Sequence, residues 1–317
     1  MQRLEVISKF LLALIASVLL FISGISLPPL GVILLPLVAQ PVLMFGVKYG
    51  VGAGFGVLFV ALVLLVFLAT EELAFIYGIF ALMGSLILAL LGRVRAIENF
   101  VVAVAAALLT MTASLSLYFY GSWAAMFGDF RDTLTQQLAS AMRVQEKMGM
   151  PQDSLQMFKE RIPQIVEMML QLLPALLFLS FAFIVLINIL YLGRRFPERR
   201  PQWFVLQHLR EWKGPEPLVW GLIGCGFAVF IPGLDAVRLV ALNFLLVIGA
   251  CYFAQGLAVI AYFFHKNKVP RFLRGMTYVL IIFQQIFTLL VVGLGLFDLW
   301  GDFRRLRKNN LTSSQAS

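Results

Sequence analysis

The sequence predicts an all-α fold, a polytopic transmembrane helical bundle of eight to nine membrane segments, with an amphipathic helical hairpin inserted on the extracytoplasmic side. Three observations predict it. The chain is 61% hydrophobic and 13% charged, against about half and about a quarter in a soluble domain. Its mean hydropathy is +0.92. A bilayer crossing needs roughly 20 mostly apolar residues, and such stretches recur along the 317 residues with one polar interruption between about Trp123 and Glu167. The short alternating segments of an outer-membrane barrel are absent. Backbone facing lipid must satisfy its own hydrogen bonds, so the segments are helices.

Apolar segments fall at about 9–26, 30–47, 50–69, 73–91, 99–121, 170–192, 217–233, 237–264 and 275–297. They divide the chain into an N-terminal five-helix membrane half (1–121), an extracytoplasmic insert (122–169), a C-terminal membrane half (170–303) with a basic cytoplasmic loop at 193–216, and a polar tail (304–317). The opening MQRLEVISK followed by FLLALIASVLLFISGI has the basic-then-apolar order of a signal peptide. No clean small-x-small cleavage site follows, which makes it an uncleaved first helix. Arg3, Lys9, Lys48, Arg93, Arg95 and the cluster from Arg194 to Lys213 fall on one side if each segment crosses once. The excess of Lys and Arg marks that side, and with it the amino terminus, as cytoplasmic. If 217–233 crosses, the tail faces outward. If this short segment, which carries glycine and proline, is re-entrant, the tail faces inward. The expectation is a cytoplasmic tail.

In the insert, Leu134, Leu138, Ala141, Met142 and Met148 recur at helical spacing, Gly149 and Pro151 mark a stop and restart, and Asp153 and Ser154 can cap a second helix. Seven methionines between Met126 and Met169 give it a polarizable apolar surface. The insert can pack on the membrane domain, act as a lid or receive a partner. In the basic loop, Arg194, Arg195, Arg199, Arg200, Trp203, Arg210 and Trp212 combine cations with aromatic rings, the composition of a short helix lying among lipid headgroups. The formal charge of +9 is thereby explained by topology and anionic lipid, with no nucleic-acid partner expected.

No Walker, HExxH or nucleophile-elbow pattern occurs. Cys225 and Cys251 lie in apolar segments with no Cys or His at ligand spacing. The expectation is therefore neither an enzyme nor a holder of a metal or cofactor. What remains are polar groups inside membrane helices, costly enough to be functional candidates. These are Asn188, Asn243, Gln255, Thr277, Gln284, Thr288 and Asp298. On one continuous helix, Thr277, Gln284, Thr288 and Asp298 fall within about 80° of one another. The run KYGVGAGFG is read as helix packing, since a dinucleotide fingerprint needs GxGxxG at a strand-to-helix turn. Counting by four places Gly46, Gly50 and Gly54 on one face and Gly52 and Gly56 on nearly the opposite one.

The order of basic amino terminus, first helix, SLPPLG loop and KYGVGAGFG turn is similar to the S components of energy-coupling factor vitamin transporters. YFAQGLAVIAYFF at 252–264, GLGLFDLWGDFRRLR at 293–307 and WKGPEPLVWGLI at 212–223 resemble the YybS-like family of bacterial membrane proteins, over most of the chain. The resemblance implies six core helices, an outward-facing pocket capped by loops, a membrane protein partner coupled to ATPases, and a place in the bacterial cytoplasmic membrane. The expected function is transport-related binding of a small solute between the helices, under the methionine-rich insert. The alternative is a non-transporting scaffold for cell-envelope or division assembly. Partners expected are membrane lipid and a membrane protein.

Overall fold

The computed structural model describes residues 2–94, 96–149, 151–197 and 208–304, and every regular element among them is helical. Arg199, Arg200, Trp203 and the tail beyond Arg304 lie outside the described residues. Seven helices among the described residues are long and apolar enough to cross a membrane, and an eighth is obtained if one sharply bent pair counts as a single span. The chain forms two units, Met1–Gln137 with Leu176–Phe204, and Leu138–Ala175 with Val205–Ser317.

In the first unit, α1 (Gln2–Ser26) leads into a broken segment made of α2 (Pro28–Leu34), a 3-10 turn at Leu35–Leu37 and α3 (Gln40–Tyr49). Prolines at the start of each piece explain the breaks, since each lacks the N–H that a continuous helix would use. Then come α4 (Val51–Leu68), α5 (Glu71–Leu90) and α6 (Ile97–Tyr120). The core interleaves Phe21 of α1, Val42 and Phe45 of α3, Leu58 and Ala61 of α4, and Tyr77 of α5. Ser17 Oγ donates to the Val38 carbonyl at 2.8 Å and lies 3.0 Å from the Tyr77 hydroxyl. The Phe21 ring stands edge-on to Tyr77, centroids 5.2 Å apart.

The glycine run is reorganised relative to the sequence expectation. Gly50, with φ +112°, ends α3 and opens α4, so Gly46, Gly50 and Gly54 do not form a stripe on one helix. Gly46 and Gly54 instead face each other across the break: a Cβ on Gly54 would come within 3.0 Å of Gly46 Cα and 2.6 Å of Leu88 Cδ1. Among the described residues outside its own helix, no atom stands within 4 Å of a Cβ placed on Gly52, and Phe10 alone, at 3.8 Å, does so for Gly56. One face of the run packs closely and the other is open. Gly50 has a conformational role instead, because positive φ there is strained for any residue with a Cβ.

The insert begins as expected with α7 (Trp123–Lys147), where Ser122 Oγ accepts from Ala125 N at 3.2 Å. Its second helix does not end at the membrane segment. α8 runs from Gln152 to Arg195, 44 residues with Pro163 and Pro174 inside it, so the second arm of the expected hairpin and the sixth apolar segment share one helix. The boundary between the two units falls within α7 and again within α8.

The second unit continues with α9 (His208–Glu211), α10 (Leu218–Val229), α11 (Asp235–Lys266), α12 (Arg271–Phe283) and α13 (Gln285–Gly301). α10 has 12 residues, about 18 Å against a hydrocarbon core of about 30 Å, so the segment at 217–233 is too short to cross as one helix. The expected single helix over 275–297 is also corrected: it breaks at Gln284, whose backbone is extended, and α12 and α13 are bent by 104°. Thr277 therefore shares no helix face with Thr288 and Asp298. The closest packing in this unit is between α11 and α13. A Cβ on Gly256 would overlap the Val291 carbonyl, and one on Gly295 would overlap that of Tyr252. The pairing of 291 with 256 and 295 with 252 makes the two helices antiparallel, joined by the backbone approach that small residues allow.

Gly256→Ala should accordingly destabilise the unit by roughly 1–3 kcal/mol, the usual cost of overpacking, seen as lower folded yield and melting temperature in detergent. Gly249→Ala on the same helix, where no atom lies within 4 Å of the new Cβ, should behave as the parent; equal losses for both would overturn the close crossing.

Candidate functional site

Several polar residues inside the membrane helices answer backbone groups where a helix is broken or bent. α8 would normally pair Ala175 N with the Gln171 carbonyl, but Pro174 distorts that turn. Asn243 of α11 fills the open rung: its Oδ1 accepts from Ala175 N at 3.0 Å and its Nδ2 donates to the Gln171 carbonyl at 2.8 Å. Asn188 does the same service at the broken second segment, donating at 2.7 Å to the Pro36 carbonyl, while Gln40 Nε2 donates at 2.7 Å to the Asn188 carbonyl. At the bend after α12, Thr288 Oγ1 donates at 2.7 Å to the Ile281 carbonyl, freed because the helix stops at Phe283. Thr277 Oγ1 donates to the Leu273 carbonyl one turn earlier on α12. Gln284 is exposed at the bend itself.

Gln255 and Asp298 belong to a denser arrangement at the end of α13. Asp302 adopts a left-handed conformation, φ 37° and ψ 50°, and turns the chain back after the helix. Arg304 thereby folds onto Asp298, Nη2 to Oδ2 at 2.7 Å, with both side chains fully buried. The other guanidinium branch, Nη1, donates to the Arg210 and Trp212 carbonyls at 2.7 and 3.0 Å. Gln255 Nε2 donates to Asp298 Oδ2 at 3.2 Å, and its Oε1 accepts from Gly214 N at 3.0 Å. Lys213 Nζ pairs with Asp302 at 2.9 Å nearer the surface. Together these bonds clamp the end of α13 to residues 210–214, so the two share one side of the membrane. Arg210 and Trp212, expected among headgroups, contribute carbonyls here; Arg194 and Arg195 are exposed at the end of α8.

The sequence presents Arg304 only as tail charge and Lys213 only as loop charge, and it does not single out Asp302. The signal that could have found them is in GLGLFDLWGDFRRLR, where an acid inside an apolar helix precedes a capping Asp and a basic pair. An Asp buried in lipid needs a cation, and Arg304 is the cation that a reversal at Asp302 brings within reach.

A different feature of the first unit has the form of a binding site. A cavity of 460 Å³ opens where α1 and α4 end and α5 begins. Val18, Phe21 and Ile25 of α1, Leu65 and Leu68 of α4 and Leu73 of α5 line it. Its polar lining is Ser26 and Thr70, both exposed, and the Thr70 hydroxyl accepts from Leu73 N at the start of α5. Phe21, 1% exposed, closes the deep side, with the Ser17 and Tyr77 hydroxyls beyond it. The volume lies in the range of small-molecule sites, about 300–1,000 Å³, and the walls offer apolar contact with hydrogen-bonding groups confined to one end. Among the described residues no cluster of His, Cys, Asp or Glu could hold a metal.

A family of predicted membrane proteins, DUF2232, matches residues 14–299. The chain belongs to this family. As a DUF2232 protein it is a predicted membrane protein, which agrees with its apolar helices. No curated protein and no solved structure matches it. The matched region takes in both the cavity of the first unit and Asp298, and it stops before Asp302 and Arg304.

Breaking a buried ion pair by removing one partner costs about 3–5 kcal/mol, whereas replacing both by apolar residues is often tolerated. Arg304→Leu alone should strongly lower the melting temperature in detergent, and Asp298→Leu with Arg304→Leu should recover part of the loss. A double variant no better than the worse single one would show that the carbonyl contacts of Arg304, and not its pairing with Asp298, hold the clamp.

Proposed function

We propose that this chain is a transport-related membrane protein that binds a small apolar solute, or the apolar part of an amphiphile, in the cavity between α1, α4 and α5. The cavity's chemistry carries the reading: 460 Å³ of apolar-walled space with hydroxyls at one end. Asn188, Asn243 and Gln255 are occupied by backbone groups or by Asp298, which directs the site away from them and toward this cavity. The Lys and Arg distribution, taken with a cytoplasmic amino terminus in a bacterial inner membrane, places the cavity at the extracytoplasmic ends of its helices. That is also where the resemblance to S components implies a pocket. The clamp between Asp302 and Lys213 supports a cytoplasmic tail. The reading is non-enzymatic, with lipid and a membrane protein as partners. A scaffold role is favoured by one observation, the exposure of Met148, Met157 and Met168 along the insert, which would suit a docking protein.

Ala69→Phe places a ring in the cavity mouth from a half-buried position. Protein in native-lipid nanodiscs should carry a near-stoichiometric apolar compound, detected by mass spectrometry of the extract, and Ala69→Phe should lose it at least tenfold with an unchanged melting temperature. Equal retention by the variant would remove the cavity as the site. A reporter fused after Ser317 should read cytoplasmic, and an extracytoplasmic signal would reverse the topology.

A further inference from the structure

The bend between α12 and α13 assigns a role to a stretch that the sequence presents as half of a crossing. α13 packs antiparallel on α11, and α12 leaves it at 104°. With α11 and α13 crossing the bilayer, α12 runs close to the membrane plane. Its inner side is held in place: Arg274 donates from Nε to the Val269 carbonyl at 2.8 Å and from Nη2 to that of Phe264 at 3.2 Å, Tyr278 meets Phe264 edge-on at 5.9 Å, and Ile281 is buried. The opposite side is open and apolar. Phe272, Met276, Val279 and Phe283 project within about 60° of one another, with exposures of 76%, 47%, 52% and 82%.

Exposed polar groups bracket this apolar face. Lys266, Asn267, Lys268 and Arg271 stand before it, and Gln284 and Gln285 after it. Both ends of α12 therefore carry groups that seek water, and at 13 residues, about 20 Å, the helix is too short for those ends to lie on opposite faces of a hydrocarbon core of about 30 Å. The charge is one-sided too, since no Asp or Glu occurs between Asp235 and Asp298. An apolar stripe flanked by cations alone matches a bilayer surface rich in anionic phospholipid, stripe toward the acyl boundary and cations toward phosphate. We propose that α12 is an interfacial anchor of this kind, with Lys266, Lys268 and Arg271 as its phosphate contacts.

The test uses the full chain with Cys225→Ala and Cys251→Ala, reconstituted in phosphatidylcholine with phosphatidylglycerol, and a bimane label at Phe272→Cys, Met276→Cys or Phe283→Cys in turn. Spin labels near the headgroup or near the acyl terminus of the lipid report depth by quenching. All three positions should show the same shallow depth. Headgroup-labelled phosphatidylglycerol should quench position 276 more than labelled phosphatidylcholine does. Lys266→Gln, Lys268→Asn and Arg271→Gln sit on exposed side chains, and the preference should fall about fivefold for each cation removed, the effect of one surface charge. Asn is used at 268 because that residue has φ +49°, which Asn tolerates. Depth increasing steadily from 272 to 283, lipid quenching absent at all three positions, or a preference for phosphatidylglycerol that survives the triple substitution would each overturn the proposal.

Discussion

A helix broken within a bilayer exposes carbonyl and amide groups that no water can satisfy, each at a cost of several kcal/mol. This chain interrupts a membrane segment at Leu35–Leu37, distorts α8 near Pro174 and turns sharply at Gln284. The rest of the structure is arranged around answering the groups so released. Asn188 reaches the Pro36 carbonyl, Asn243 spans the rung between Gln171 and Ala175, and Thr288 takes the Ile281 carbonyl. Each of these side chains makes two chain segments dependent on one another, so the polar residues act as fasteners at the points where helical continuity fails.

The clamp at the end of α13 extends the same logic to charge. A single buried carboxylate would be prohibitive, and Asp298 is tolerated because Arg304 and Gln255 converge on its Oδ2 while Arg304 also binds two loop carbonyls. The close crossing at Gly256 and Gly295 sets the distance between α11 and α13 that lets Gln255 reach Asp298. Packing and polar satisfaction are thus one device: a methyl group at either glycine would push apart the helices on which the hydrogen bonds depend.

The first unit, by contrast, leaves space where its helices diverge. Phe21 and Leu65 are buried against the core while the ends of α1 and α4 splay, and the resulting cavity is apolar because every nearby polar residue is a cap or a hydroxyl at the rim. The space, 460 Å³ at one end of this unit, is lined by apolar side chains except at Ser26 and Thr70.

The sequence by itself determined the membrane class, the helical content, the approximate segments and the short list of polar residues, because hydrophobic length and the cost of bare backbone in lipid are local properties. It identified Asn188, Asn243 and Gln255 as unusual without identifying what they bind, since their partners lie far away along the chain, as Pro36 does from Asn188; for Asp298 the partner Arg304 is six residues on, and a left-handed turn at Asp302 brings it back. The stripe drawn through Thr277, Gln284 and Thr288 assumed a straight helix. No proline marks the break at Gln284, so one residue of extended backbone there was invisible to periodicity. Gly50 likewise read as packing because spacing reports faces and not φ. Where helices stop and which glycines touch were decided only by tertiary structure, through contacts between residues whose proximity no local pattern encodes.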